Sequence, residues 1–325
     1  MATTVLPNYR HRTGTHPEST ALSNYLRFFG LNFSEAFLFG LGRGLNFIYW
    51  QGRKMAAPLI RGRIKPDGVV KNVASLLGSR CEIVAIPTLE VAQSYVRHEL
   101  SEGHPVLVKA ALEDAGLPAG ALESNYLVIV GVGDRDFVAL AEPDGDEPTL
   151  QSLPVLFSQW QKNGTPQFVA FSPNIVPNDM GHTLRTTLRQ HASEMLDPPV
   201  AYLGVRGIEH FASNVVLWPD RLRDVNMAAS VFVQSWTHPY AGGDGYRGLY
   251  RHFLIEAFEF IPSSLIEDAV RTLGRAMVYW KGVTASLREV ADGRGGMDSF
   301  LREASRLLWE VARLESEVMR TLAEV

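Results

Sequence analysis

The side chains best suited to chemistry gather near the N-terminus. Gly14-Thr15-His16-Pro17-Glu18-Ser19-Thr20 sets an imidazole beside a carboxylate and two hydroxyls, and Glu35 follows in Ser34-Glu35. His16 is the group there that titrates near neutral pH. With Glu18 and Glu35 it makes an acid–base set able to move protons. Next comes Phe39-Gly40-Leu41-Gly42-Arg43-Gly44-Leu45, with three glycines at alternate positions. A helix N-terminus and a glycine-rich loop both present backbone amides suited to developing negative charge. Each feature also has a structural reading. His16 reads equally as a cap or a satisfied core histidine, Ser19 as a first-turn residue, and Glu35 as a carboxylate favoured by a helix dipole. The glycines read as a turn that needs positive φ. As a dinucleotide fingerprint the loop is weak, because no strand precedes it.

These groups need elements to hold them. Leu22, Leu26 and Phe29 fall at i, i+4 and i+7 and predict a helix over 19–29. Pro17 suits its first turn and Gly30 stops it. Ser34 is placed to cap a second, short helix. Residues 82–86, 106–110, 127–132, 137–141 and 168–171 read as strands, and 89–100 as a helix between two of them. Asp134-Arg135-Asp136 reads as a hairpin turn. Helices followed by a largely antiparallel sheet define an α+β domain over 1–175. The segment 171–179, with two prolines and two asparagines, marks its end.

Residues 181–325 read as an all-α domain, with helices over 184–196, 204–217, 222–236, 247–260, 263–291 and 297–324. Three glycines within 291–296 predict that the last two form an antiparallel hairpin. Phe300, Ala304, Leu307, Val311, Leu314 and Val318 repeat at alternating steps of four and three, an a/d seam. It serves either packing within the domain or a homodimer through the C-terminal helix.

Composition narrows the function classes. The 325 residues carry 31 Lys+Arg against 35 Asp+Glu, so the chain as a whole is not built for nucleic acid. No apolar run is long enough to span a membrane, and 1–12 has no apolar signal region. The lone cysteine, Cys81, excludes an internal disulfide and a multi-cysteine metal site; a cytoplasmic protein is expected. Cys81 opens a strand, where a buried structural thiol is expected. The nine histidines contain no HxH or HExxH pair, so no metal or cofactor is implied. Against the acidic balance, Arg53, Lys54, Arg61, Arg63, Lys65 and Lys71 form a basic patch opposed only by Asp67.

The stretch 14–22, with Gly30, Ser34-Glu35 and Phe39-Gly40-Leu41-Gly42, resembles the N-terminal domain of the BtrH-like proteins. That family takes its name from an acyltransferase of butirosin biosynthesis, which moves an amino-acyl group from a carrier protein to an aminoglycoside. Gly204-Val205-Arg206-Gly207-Ile208-Glu209, Gly242-Gly243, Tyr246-Arg247, Tyr250 and Phe253-Leu254 resemble the helical domain that follows in the family. The resemblance implies a papain-like N-terminal fold and a cysteine–histidine–acid triad. The triad positions fall on Pro17, Asn125 and Glu142. Proline is no nucleophile and asparagine no base, so thioester chemistry is not expected there. The resemblance further implies a cleft lined by Gly40, Gly42, Gly44, Tyr126, Trp236 and Arg247. It also implies an acidic carrier protein for the basic patch.

Two functions follow. One is a natural-product biosynthetic enzyme that replaced cysteine chemistry. It would use His16, Glu18 and Glu35 to promote cyclisation, condensation or direct acyl transfer on a small-molecule or carrier-bound substrate. The other is a pseudoenzyme that binds a substrate, a carrier protein or a partner enzyme.

Overall fold

The computed structural model describes residues 4–52, 55–112, 123–172 and 179–325. In chain order the elements are β1 (Thr4–Val5), α1 (Pro17–Phe28), α2 (Glu35–Leu41), β2 (Leu45–Trp50), β3 (Leu59–Arg63), α3 (Gly68–Leu76), β4 (Arg80–Ala85), α4 (Leu89–Ser101), β5 (Val106–Leu112), β6 (Glu123–Val132), β7 (Phe137–Ala141), β8 (Thr149–Ser152), α5 (Leu153–Asn163) and β9 (Gln167–Ser172). The rest is helical: α6 (Met180–Leu196), α7 (Gly204–Val215), α8 (Trp218–Arg221), α9 (Val225–Thr237), α10 (Arg247–Phe260), α11 (Ser264–Ala291) and α12 (Met297–Ala323).

By packing, the chain divides into Met1–Leu38 with Pro66–Pro177, and Phe39–Lys65 with Asn178–Val325. The β2–β3 hairpin precedes the boundary drawn by chain order at 171–179 and packs in the second unit. The hairpin joins the helices because Phe47, Tyr49 and Ile60 belong to their apolar core. Residues 173–178 of that expected boundary lie outside the described residues.

The first unit is α+β. Its sheet runs β4-β9-β5-β6-β7-β8, with β1 on β6, and every pairing is antiparallel. Side chains alternate between its faces. Val108, Ala110, Leu127 and Ile129 share a core with Ala92 and Val96 of α4 and with Leu156, Phe157 and Trp160 of α5. On β5 and β6 the intervening Lys109 and Tyr126 both reach Asp67, at the start of α3.

The second unit is helical apart from its hairpin. Its centre is a charge pair with no exposed surface: Arg247 and Glu315 are each 0% exposed. The Arg247 Nε and Nη2 atoms donate to the two Glu315 oxygens at 2.9 and 3.0 Å. Nη1 donates to the Gly245 carbonyl at 2.8 Å, and Trp280 Nε1 donates to Glu315 Oε1 at 2.7 Å. The rings of Phe47, Trp236 and Trp280 lie 5.9, 5.1 and 5.3 Å from the guanidinium carbon. A side chain at Gly245, where φ is +63°, would place its Cβ 2.4 Å from Trp236, so only glycine closes this cage.

The a/d seam of α12 is filled from within. Ala304, Leu307, Val311, Leu314 and Val318 are all buried, packed largely by α11. A homodimer would therefore need another face. No helix among the described residues is long and apolar enough to cross a membrane.

A second buried group in this unit titrates. His191 accepts the Tyr250 hydroxyl at Nδ1 (2.9 Å) and donates from Nε2 to the Leu45 carbonyl (2.8 Å). Burial lowers its pKa to about 4. The unfolded histidine titrates near 6.5, so the native state binds fewer protons between those values. Its contribution is complete above about pH 6.5 and is lost as pH falls toward 4, a difference worth roughly 3 kcal/mol. We expect the melting temperature to fall over that window and the fall to flatten in His191→Leu. An unchanged slope in the variant, measured by thermal unfolding at stepped pH, would contradict this.

Candidate functional site at the start of helix α1

Helix α1 begins where a charged or reactive group would be most favoured, at the positive end of its dipole. Its first position is Pro17, which has no N–H. His16 is the N-cap: Ser19 N–H donates to its Nδ1 at 3.2 Å, and the Ser19 hydroxyl lies 2.9 Å from the same atom. His16 is 1% exposed. Its Nδ1 lone pair is therefore committed to holding the helix end.

Glu35, in the first turn of α2, reaches back to the segment before α1. Its Oε1 accepts the Thr15 N–H at 2.8 Å and the His16 N–H at 2.5 Å. The amides of Thr15 and His16 are thus closed by a carboxylate. That leaves the helix start poorly equipped to hold an oxyanion, since an oxyanion hole needs open donors.

Glu18 is buried and spans to another helix, accepting the Val70 N–H at 2.7 Å. It caps α3 in place of Asp67, the residue before that helix. Asp67 sits at φ +68° and makes no cap bond. Its carboxylate instead takes Lys109 Nζ at 2.8 Å and the Tyr126 hydroxyl at 2.6 Å. Burial, then the nearby Glu18 charge, pushes the Tyr126 hydroxyl pKa far up. Tyr126, expected to line a substrate cleft, is 0% exposed and tied to Asp67.

Glu142 stands just beyond β7. Gly14 N–H donates to the Pro143 carbonyl at 2.8 Å, which fastens this loop to the segment leading into α1. Burial, then the Asp144 charge, raises the Glu142 pKa. Asn125 pairs with Ala110 in the β5–β6 ladder; its side chain lies outside the described residues. Cys81, on β4, is partly buried, and burial raises its thiol pKa, the opposite of an activated nucleophile.

The glycine loop belongs to the second unit, at the C-terminal end of α2. Arg43 N–H donates to the Gly40 carbonyl and Gly44 N–H to the Phe39 carbonyl, at 2.9 and 2.8 Å. A helix C-terminus presents carbonyls and carries the negative end of the dipole, so this loop suits an oxyanion poorly. The left-handed residue is Arg43, at φ +52°, rather than a glycine. Gly40 is required for space: a Cβ there would lie 1.9 Å from Phe253. Gly42 and Gly44 are buried. Trp236 and Arg247, the other expected cleft residues, stand in the buried cage described above.

Residues 16–115 match the N-terminal family of butirosin biosynthesis protein H, and 162–322 match a domain of unknown function, DUF4872. The N-terminal part of the chain is thus a BtrH-like domain. No curated protein matches the chain. Among solved structures it is similar to a chain described as a C39-like peptidase from Bacillus anthracis. The identity is 13%, over 54% of this chain and 100% of that one, with a TM-score of 0.38.

In this BtrH-like chain the three acid–base candidates are brought to one region, and each carries a structural bond there. Sequence reading took Asp67 only as the charge opposing a basic patch and missed Lys109. A single lysine inside the apolar run 106–110 was the available signal, because a buried lysine calls for a buried partner. We expect His16→Ala and Glu18→Ala each to lower the stability of the first unit by about 1 kcal/mol, the cost of a lost cap. Denaturant midpoints equal to the parent's in both variants would refute these roles.

Proposed function

We propose that this BtrH-like protein is a non-catalytic, ligand-binding member of its family that serves natural-product biosynthesis. One observation carries the reading: the start of α1 offers no nucleophile, and three of the amides around it are engaged. Pro17 offers neither nucleophile nor amide. The amides of Thr15 and His16 are taken by Glu35, and the Ser19 amide is taken by His16. A thiol could act from a helix start because the dipole lowers its pKa. Here the only thiol is Cys81, on a strand, with its pKa raised. What remains is a family scaffold able to hold a small-molecule or carrier-borne intermediate without forming a thioester to it.

The expected carrier-docking patch contributes fewer open cations than its sequence suggests. Arg63 is 6% exposed and Arg61 half-buried, whereas Lys65 and Lys71 are exposed; Arg53 and Lys54 lie outside the described residues. The two lysines belong to different units, and Lys65, on the second, is the cation we assign to an acidic carrier protein.

An acyl-N-acetylcysteamine thioester tests the reading. We expect intact-mass spectrometry to find no acyl adduct on the protein, and thioester loss to proceed at the protein-free rate. Calorimetric titration should still register binding. A stoichiometric adduct on Cys81 would overturn the proposal. So would catalysed loss that His16→Ala or Glu35→Gln slows by the roughly 10²–10⁴ typical of a missing acid–base group.

A further inference from the structure

The second unit contains a cavity of about 730 Å³ that the α1 region does not use. It lies where the end of β2 meets α7 and α8, and its size is that of a small-molecule site. The polar groups around it can be assigned donor by donor. Arg221 only donates, so the Asn214 atom it bonds is the carbonyl oxygen. The Asn214 amide nitrogen must then donate to His210 Nδ1, at 3.2 Å. His210 Nδ1 is therefore an acceptor, and the ring carries its proton on Nε2.

The same logic runs along the other wall. Trp218 Nε1 only donates, and it donates to the Tyr49 hydroxyl at 3.1 Å. The hydroxyl passes its own proton to Gln51 Oε1, at 3.2 Å. The Gln51 nitrogen is left as the donating end. Both chains thus start at a buried side chain, Asn214 at 7% exposed and Tyr49 at 1%, and end in a donor at the cavity.

The cavity is consequently rich in donors: the Arg221 guanidinium, His210 Nε2–H and the Gln51 amide. No Asp or Glu is among the described residues that line it, and among those residues Arg221 is the one with a fixed charge. Arg221 makes no ion pair with any described residue. Two large aromatic side chains, Trp50 and Tyr202, line the same cavity while remaining 47% and 39% exposed. Exposed aromatic rings in a concave site offer planar apolar contact. The cation among the described lining residues calls for an anion, and a guanidinium fork matches a carboxylate.

We infer that this cavity is a binding site for an aromatic carboxylate, held by Arg221, His210 and Gln51 at its anionic end and by Trp50 and Tyr202 along its ring. The assignment goes beyond the proposed function and is independent of it, because the site would bind whether or not the α1 region turns over a substrate.

The probe is 2-naphthoate, titrated against the full chain by calorimetry, with three comparators. 2-Naphthalenemethanol keeps the ring and loses the charge, acetate keeps the carboxylate and loses the ring, and 2-naphthyl phosphate exchanges the anion. We expect saturable 1:1 binding of 2-naphthoate, weakened about tenfold or more by Arg221→Gln and by Trp50→Ala, as for loss of a charged hydrogen bond or an aromatic contact. Both variants alter exposed side chains, and their melting temperatures should match the parent's. Each comparator should bind at least about tenfold more weakly than 2-naphthoate. Absence of 2-naphthoate binding, or equal binding by both variants, would overturn the site. Equal affinity for 2-naphthalenemethanol would overturn its anionic character. Tighter binding of 2-naphthyl phosphate would overturn the choice of carboxylate.

Discussion

A guanidinium and a carboxylate share a space in the helical unit from which water is excluded. Taking both charges out of water is costly, and only good geometry with further hydrogen bonds offsets that cost. Arg247 and Glu315 have both: two parallel charge-assisted bonds, a backbone carbonyl for Nη1, and an indole N–H for the carboxylate. Removing one partner of such a pair typically costs about 3–5 kcal/mol, because the other charge is left buried. Much of the unit is arranged to satisfy them. The rings of Phe47, Trp236 and Trp280 surround the cation. Gly62 and Gly245 leave room for it, since a Cβ at Gly62 would lie 2.3 Å from the Gly245 carbonyl and 2.9 Å from Arg247 Nη1. The β2–β3 hairpin supplies Phe47 and the Asn46 and Gly62 carbonyls. A strand pair is thereby bound to a helical unit by a charge it helps to bury.

The same constraint shows why some features were legible in the sequence and others not. Strand β7 and helix α10 fall on the residues their patterns predict, 137–141 and 247–260, because each is a local repeat of apolar positions. The hairpin was not visible. Its second strand, Leu59-Ile60-Arg61-Gly62-Arg63, carries two arginines that read as part of a basic patch, yet Arg63 is buried. Helix α3 was missed because Val69, Val70 and Val73 are β-branched, which favours a strand. Arg247 stood out as a polar residue beside a glycine-rich turn. Its true partner lies 68 residues away, a distance no local pattern reports.

At the α1 region the residue types were legible and their work was not. His16, Glu18 and Glu35 can move protons in principle. Whether they do depends on which lone pairs and amides are already engaged, a matter of tertiary position. The cavity beside β2 gives the converse case. Its donors are scattered over Gln51, His210 and Arg221, and only the fold collects them.

Helix α3 takes its N-terminal cap from Glu18, 52 residues earlier in the chain, while its own Asp67 is turned toward the sheet. A helix of 9 residues is too short to be stable alone, more so with three valines. Its terminus is completed by α1 through Glu18, while Lys109 and Tyr126 of the sheet hold Asp67 aside. The hydrogen bonds make the three elements interdependent: α1, the sheet and α3 complete one another's polar groups. Opening residues 66–77 would therefore strip Glu18, Lys109 and Tyr126 of a partner at once and uncover Val69, Val70 and Val73, so this short helix opens together with the elements around it rather than alone.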